Sequence, residues 1–244
     1  MSGENQHELL AEPNPKYSTI ELPFETSELR QLLENFLNRE VNNPIIEGQR
    51  FKVGNFKWGV YSFYDYDEEP IYVGQTKESL RTRIRRHLTN QRTDAVAMNV
   101  LDPFEVYKIV VYPLPQLERR NASDPEAKSI LDALEHKIYS QAIEKSKFNA
   151  VLNEKEPPPP QREVIIPACY EGIIVSDEVK RIREHPDIRI ARRAQTISRL
   201  AQVISERKVQ KGLRKVLLTQ SKRLEWLAQT RLDNTNENPD LDSD

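Results

Sequence analysis

The chain has 244 residues, a net charge of −2, 37% hydrophobic residues and 30% charged residues. This composition is polar for a globular protein but too hydrophobic for an intrinsically disordered chain. Because Cys169 is the only cysteine, a disulfide framework and a cysteine-rich zinc site are both excluded. The N-terminal residues lack the basic start and apolar run of a signal peptide, and no apolar run reaches the roughly 18 residues of a membrane span. We therefore expect a soluble protein of the reducing cytoplasm.

Charge is distributed unevenly along the chain. Residues 1–50 contain nine acidic and four basic side chains, whereas residues 171–232 contain fifteen basic and seven acidic ones. Residues 233–244 are acidic again. A basic surface of this kind attracts a phosphate backbone, and the alternative is that the lysines and arginines only solvate long helices.

The organisation predicted from the sequence has six segments. Four consecutive prolines at 157–160 form a stiff extended spacer, which marks a module boundary. The segments are a flexible N-terminus at 1–25, a helical N-terminal extension at 26–55, a mixed helix–sheet domain at 56–155, a proline-rich spacer with a packed segment at 156–186, a basic helical region at 187–232 and an acidic disordered tail at 233–244.

The first predicted elements are a helix and a hairpin. Apolar residues at helical spacing predict a helix over 26–40, with Ser27 as its N-cap. An aromatic run at 58–64 and a short apolar run at 70–74 predict two strands, and the polar residues between them suit a hairpin turn.

The next elements alternate between helix and strand. The pattern predicts a helix over 79–90 and a strand over 104–112, which Pro113 ends. A second helix is predicted over 125–144, with Asp124 as N-cap and Pro125 at its first position.

The C-terminal part is less determined by its pattern. Residues 164–175 fit either a strand or a packed loop. From Pro186 onward the apolar stripes predict two basic amphipathic helices or one helix kinked near Gly212.

Helical geometry places three chemically active side chains at the edges of apolar stripes. Leu80 and Ile84 define the buried stripe of the helix over 79–90, and Arg83 and His87 lie one turn apart on its edge. Glu135 occupies a similar boundary position on the later helix. If both helices pack on one sheet, these three side chains share the rim of a pocket.

Those residue types suit phosphodiester hydrolysis, which needs a base, positive charge on the developing phosphorane and a stabilised leaving group. Glu135 could hold one Mg²⁺, and the planar guanidinium of Arg83 suits phosphate. Tyr61 and Tyr72 lie on the paired strands. A tyrosine is a poor base at its usual pKa of about 10, and we expect the neighbouring arginine to lower it.

Five short motifs resemble the GIY-YIG nuclease family. GVY at 59–61 and YVG at 72–74 are similar to its paired signature. LRTRIRRH at 80–87 resembles the arginine-bearing helix, ALEHKIY at 133–139 the helix with the metal-binding glutamate, and KFNAV at 147–151 the segment with an active-site asparagine.

The resemblance implies an α+β fold, with a small three-stranded antiparallel sheet flanked by helices, and DNA cleavage with one divalent ion, Mg²⁺ or Mn²⁺. It assigns Tyr61 as general base and Glu135 as metal ligand, and Asn153 competes with Asn149 for the asparagine role. The implied catalytic residues are Tyr61, Tyr72, Arg83, His87, Glu135 and Asn149.

The pattern is closest to the restriction-endonuclease branch of that family. A catalytically silent nucleic-acid-binding protein of the same fold and a mobile-element or repair nuclease are the alternatives. For the C-terminal helices, phosphate binding, homodimer formation on palindromic DNA and packing on the core stay open. The candidate DNA-contacting residues are Lys77, Arg81, Arg85, Arg86, Arg192, Arg193, Lys211, Arg214 and Lys215.

Overall fold

The computed structural model describes residues 24–42, 48, 50–89 and 100–237. The predicted flexible N-terminus lies outside the described residues except for its last two, which begin the first helix. The first five residues of the predicted acidic tail belong to the last helix, and the rest of that tail also lies outside.

Six α-helices and six β-strands form the described part of the chain. The helices are α1 (Phe24–Asn38), α2 (Leu80–Leu88), α3 (Pro125–Lys145), α4 (Asp177–Arg183), α5 (Pro186–Glu206) and α6 (Lys211–Glu237). The strands are β1 (Glu40–Asn42), β2 (Arg50–Lys52), β3 (Gly59–Tyr64), β4 (Pro70–Thr76), β5 (Lys108–Pro113) and β6 (Tyr170–Ile173).

The main sheet has four antiparallel strands in the order β4-β3-β5-β6, and β1 and β2 form a separate two-stranded sheet. The α+β prediction is confirmed, but the prediction of three strands is wrong. The fourth strand is β6, from a segment that the pattern left open between strand and loop. It pairs with the edge of β5 that β3 leaves free, and Gly172 lets the ring of Phe36 in α1 approach its backbone.

The sheet is covered on both faces, so successive residues of β3 belong to different cores. Tyr61 and Phe63 pack with α1 and α2, whereas Val60 packs with α3. The edge strand β4 is where these two helical layers meet, because α2 follows it directly and α3 packs against it. Side chains from α2 and α3 can therefore reach one another only around this edge.

Local hydrogen bonds explain where these helices begin. Asp124 accepts the amides of Glu126 and Ala127 and caps α3, with Pro125 at its first position, as predicted. Ser79 accepts the amide of Thr82 and caps α2, so this helix begins at Leu80, one residue later than predicted. Ser27 is not an N-cap: α1 begins at Phe24, and the Ser27 hydroxyl donates to the carbonyl of Phe24 inside the helix.

The predicted strand over 104–112 begins later than expected. Asp102 accepts the amide of Phe104 and caps a single 3₁₀ turn, Pro103–Glu105. Pro103 occupies the first position of that turn, where its missing N–H is tolerated. The chain therefore enters the sheet only at Lys108.

Of the two alternatives left open for the chain from Pro186 onward, the structure has two separate helices, and their apolar stripes pack on the sheet layer. Leu200 of α5 and Leu213 and Val216 of α6 belong to the core that also contains Tyr61. Packing, one of the three roles left open for these helices, is therefore part of their function in the fold.

A buried ion-pair cluster fastens the same helices to the turn between β3 and β4. The Oδ2 atom of Asp65 lies 3.3 Å from Arg189, 3.0 Å from Arg193 and 2.6 Å from Arg223. Glu105 also pairs with Arg193, at 2.9 Å. Charges this far from water are tolerated only when paired and hydrogen-bonded, so the cluster fixes where α5 and α6 lie.

Among the helices of the described residues, none is long and apolar enough to cross a lipid bilayer.

Candidate active site

The strand pair β3–β4 positions the first candidate tyrosine. Tyr61 lies opposite Gly74 in the register of the two strands, and its side chain is fully buried. A Cβ atom at Gly74 would lie 2.5 Å from the Tyr61 hydroxyl oxygen. The glycine of the second signature tripeptide therefore makes room for the phenol of the first.

Helix α2 brings its arginine and histidine onto that phenol. Arg83 and His87 lie one helical turn apart, and Nε2 of His87 lies 2.8 Å from the Tyr61 hydroxyl. The Nε–H of Arg83 donates to the same oxygen at 3.3 Å. The predicted arrangement of Arg83 and His87 on the edge of the apolar stripe is thus seen in the structure.

The two contacts define a direction for the Tyr61 proton. An arginine can only donate hydrogen bonds, so Arg83 uses a lone pair of the Tyr61 oxygen. The phenol O–H is then available to donate to Nε2 of His87. This assignment requires a neutral imidazole with its proton on Nδ1.

Burial makes Tyr61 a weaker acid than expected. Its pKa is raised above the ordinary value because burial disfavours the phenolate and Tyr72 adds repulsion, while Arg83 opposes both effects only in part. Arg83 acts on this pKa in the expected direction, but desolvation exceeds the attraction of one guanidinium, so the net shift is upward. Tyr61 is a neutral phenol in this structure.

Glu135 projects from the other helical layer, on α3. Burial and the repulsion of Asp132 raise its pKa to about 7, and Arg83 lowers it. The Glu135 carboxylate makes no hydrogen bond or salt bridge with any residue that the structure describes. A half-buried carboxylate without such partners is available to an external ligand.

These groups surround one pocket at the edge of β4, with a volume of about 440 Å³. Arg83 and His87 reach it from α2 and Glu135 from α3, which is the convergence that the helical wheels predicted. Tyr72 also lines the pocket, and Tyr61 lies beneath it. We call this space the catalytic pocket; its chemically active lining residues are Tyr72, Arg83, His87, Glu135 and Asn153.

The structure brings Asn153, and not Asn149, to the catalytic pocket. The Asn153 amide accepts from the backbone N–H of Val73 at 3.1 Å and donates to the Val73 carbonyl at 2.6 Å. Asn149 has a positive φ of 49° in the turn after α3 and faces a different hollow. The role of the asparagine stays a prediction, and of the two candidates left open only Asn153 lines this pocket, because its amide meets β4.

Asp132 and Gln75 were missed by the sequence reasoning. The Gln75 amide donates to Asp132 at 2.8 Å, and Gln75 lines the catalytic pocket. Asp132 lies three residues before Glu135 on α3, on the same helical face. That spacing was the available signal, and the consequence is the raised pKa of Glu135.

Residues 57–119 match the model of the GIY-YIG catalytic domain. The matched region has a nuclease-type fold and contains Tyr61, Tyr72, Arg83 and His87. No curated protein and no solved structure matches the chain.

Glu135 and Asn153 lie outside the region matched to the GIY-YIG catalytic domain. Their connection to it rests on the pocket, where they meet Arg83 and His87. The pocket therefore includes two polar side chains that lie outside the matched region, one on α3 and one in the loop after it.

The donor set around Glu135 suits a single oxygen-preferring ion. The described residues contain no cluster of three histidine, cysteine or acidic side chains that could hold a metal ion, so a closed protein cage is absent from this part of the chain. Mg²⁺ binds through one or two carboxylates and completes its shell with waters and substrate phosphates. Glu135 alone fits that mode.

All three predicted DNA-contacting arginines of the matched region form salt bridges with other residues of the protein. Arg81 and Arg85 pair with Glu34, and Arg86 pairs with Glu78. These pairs are partly exposed, which makes them weak and exchangeable.

The two candidate DNA-contacting arginines of α5 differ in their partners and in their exposure to solvent. Arg192 pairs with Asp102 at 2.8 Å, and Arg193 is buried in the ion-pair cluster around Asp65. A guanidinium that is 2% exposed is not placed to meet a phosphate, so Arg193 is removed from the candidate DNA contacts. Its basic character contributes to folding instead.

Proposed function

We propose that this protein is a divalent-metal-dependent DNA endonuclease of restriction type. The observation that carries the proposal is the meeting of Arg83 and His87 with Glu135 around one pocket, with the Tyr61 phenol beneath them. Such a set holds the positive charge, proton acceptor and carboxylate of phosphodiester hydrolysis in one place. The GIY-YIG match adds the nuclease-type fold.

In the proposed reaction, a water molecule attacks the scissile phosphorus and the bond to the leaving oxygen breaks. The Tyr61 oxygen accepts the proton of the attacking water while its own proton passes to Nε2 of His87. This relay lets a neutral phenol act as base, because its proton has an acceptor 2.8 Å away. The leaving oxygen departs with the bonding electron pair and takes a proton from solvent.

Arg83 has two tasks in this proposal. It holds the Tyr61 oxygen through Nε, and the rest of its guanidinium faces the pocket, where it balances the charge that grows on the phosphate oxygens. Glu135 would hold Mg²⁺ or Mn²⁺, which when bound stabilises the charge of the leaving oxygen.

The restriction-type assignment is supported by how the C-terminal helices attach. Helices α5 and α6 pack on the sheet that carries the site and are fastened by the Asp65 cluster. A mobile-element nuclease with a separate DNA-binding module would instead have its recognition elements on a linker. The catalytically silent alternative is disfavoured because Tyr61, Arg83 and Glu135 are all in place.

The test is incubation of the purified protein with supercoiled plasmid in Mg²⁺, in Mn²⁺ and in EDTA. We expect nicked or linear product with either metal and none in EDTA. Sequencing the ends produced on a complex DNA substrate then tests the restriction assignment, since a restriction-type enzyme gives a repeated sequence at the cuts. Binding without cutting in both metals, across many sequences, would establish the silent alternative.

A further inference from the structure

Three hollows adjoin along the side of the molecule that carries the catalytic pocket. A hollow of about 510 Å³ beside α2 shares Gln75 and Arg83 with the catalytic pocket. A hollow of about 530 Å³ beside α6 shares Asn153, Glu154 and Glu156 with it. The three hollows therefore lie side by side, with the proposed site of cleavage in the middle one, and we call them together the groove.

Lysines line both ends of this groove. Lys77 and Lys128 lie in the hollow beside α2, and Lys211, Lys215 and Lys222 lie in the hollow beside α6. All five are exposed. The three lysines of α6 are separated by four and seven residues, which places them on one face of the helix.

The lysine face of α6 is held against the groove by a close backbone approach. A methyl group at Gly212 would overlap the carbonyl oxygen of Glu154, so the start of α6 lies directly on the loop that borders the catalytic pocket. Arg223, further along α6, is anchored in the ion-pair cluster on Asp65. The helix is thus fixed at two points, and the lysine face cannot turn away from the groove.

One of these lysines forms a salt bridge with a carboxylate of the protein itself. Glu156 forms a salt bridge with Lys215, and both side chains are more than half exposed. Lys215 and Lys211 together hold the pKa of Glu156 below its ordinary value. An exposed pair of this kind contributes little stability, so a phosphate can replace the carboxylate at low cost.

We propose that the phosphate backbone of duplex DNA runs along this lysine groove, with Lys77 and Lys128 on one side of the cleavage site and the α6 lysines on the other. The inference rests on the proposed function for its substrate, and it adds the path that the DNA takes beyond the scissile phosphate. Glu156 is paired with Lys215 while the groove is empty, and a DNA phosphate replaces its carboxylate when DNA binds.

The charges fit a polyanion better than a small ligand. The groove extends over three hollows and has ammonium groups at both ends, whereas a single phosphate would need only the central arginine. Lysine ammonium groups on flexible stems follow a backbone as point charges. Each neutralised phosphate releases condensed counterions, which makes such binding strongly salt-dependent.

The first test measures binding of a short labelled duplex by fluorescence anisotropy over a range of KCl concentrations, in EDTA so that no cleavage occurs. The variant combines Lys211→Ala, Lys215→Ala and Lys222→Ala. If three phosphate contacts are lost, the slope of log K against log [KCl] becomes shallower by about 2.7, and affinity at 0.15 M salt falls about 100-fold.

The matched control removes the same charge elsewhere. Arg181, Arg199 and Arg207 are exposed and lie outside the three hollows, and their triple alanine variant is expected to keep the slope of the unmodified protein. Equal changes in the lysine and arginine variants would show that only net charge matters, and the groove proposal would be overturned.

A second variant, Glu156→Gln, changes affinity in the opposite direction. It frees Lys215 and removes a repulsive charge from the groove, so binding is expected to tighten severalfold, a result that damage to the fold cannot produce. Unchanged or weaker binding contradicts the proposal. The two hypotheses can fail separately. If the proteins bind DNA with the expected slopes but the unmodified protein does not cleave DNA in the presence of metal, only the proposed nuclease function is contradicted. If the unmodified protein cleaves DNA and the lysine variant binds DNA as well as it does, only the proposed DNA path is contradicted.

Discussion

The hydroxyl of Tyr61 lies 2.8 Å from Nε2 of His87, and this contact joins a fully buried strand residue to a helix residue on the wall of the catalytic pocket. Arg83 donates to the same oxygen, and when the imidazole is neutral with its proton on Nδ1, the phenol donates its proton to Nε2. Burial alone would make Tyr61 a very poor base. The contact with His87 provides an acceptor for the proton of the Tyr61 hydroxyl.

Replacing Tyr61 with phenylalanine removes this relay while leaving the ring in the core. We expect the single-turnover rate of DNA cleavage to fall about 100- to 10,000-fold, the range for loss of a general base. Tyr64→Phe is the matched control, because Tyr64 lies on the same strand but packs near Lys108, away from the pocket. Similar rates in the two variants would remove Tyr61 from the reaction.

Glu135→Gln is expected to abolish the stabilisation that Mg²⁺ gives to the folded protein. An ion that binds only the folded state raises Tm, and the rise grows with its concentration relative to its dissociation constant. Glu135 is the proposed protein ligand. The measurement is Tm against Mg²⁺ concentration for the unmodified protein, for this variant and for Glu144→Gln, which changes an exposed acid on the same helix. A Mg²⁺ response retained by Glu135→Gln would show that the ion binds elsewhere.

The raised pKa of Glu135 predicts a pH-dependent stability. Burial and Asp132 raise the pKa from 4.5 to about 7, so between these values the folded state binds more protons than the unfolded one, and stability falls as pH rises. Below about pH 4.5 the carboxyl is protonated in both states and the penalty is absent. Above about pH 7 the penalty is complete.

Glu135→Gln removes this penalty, and it should therefore be more stable than the unmodified protein at pH 8 in metal-free buffer. The Tm difference should shrink steadily as the pH is lowered toward 5. A difference that stays constant with pH would mean that the Glu135 carboxyl titrates normally in the folded protein.

The buried cluster around Asp65 predicts a large effect on folding. Asp65→Ala leaves three buried arginines without their shared carboxylate, which should lower the free energy of unfolding by about 3–5 kcal/mol. Asp187→Ala removes the partner of Arg231 in a half-exposed pair and should cost less than about 1 kcal/mol. Urea denaturation measures both, and equal small losses would contradict a structural role for the cluster.

The parts of this fold that the sequence predicted are those with local causes. The cap at Asp124 depends on a side chain beside the first turn of its helix. Helical periodicity placed Arg83, His87 and Glu135 each at the edge of an apolar stripe, which allowed their meeting in one pocket but did not establish it.

The parts that it missed depend on contacts between distant segments. Strand β6 joins the sheet because β5 has a free edge near α1. Arg193 is buried because it pairs with Asp65, a residue 128 positions away in sequence. The choice between Asn149 and Asn153 depends on which amide meets Val73. The raised pKa of Tyr61 depends on burial that no single strand pattern displays.

The most direct measurement compares conversion of supercoiled plasmid in Mg²⁺ by the unmodified protein and by Glu135→Gln, with the DNA affinity of both determined in parallel. The account predicts cleavage by the unmodified protein, none by the variant, and DNA binding by both. Cleavage by the variant at an undiminished rate would contradict the proposed site, and an unmodified protein that binds DNA yet never cuts it would contradict the proposed function.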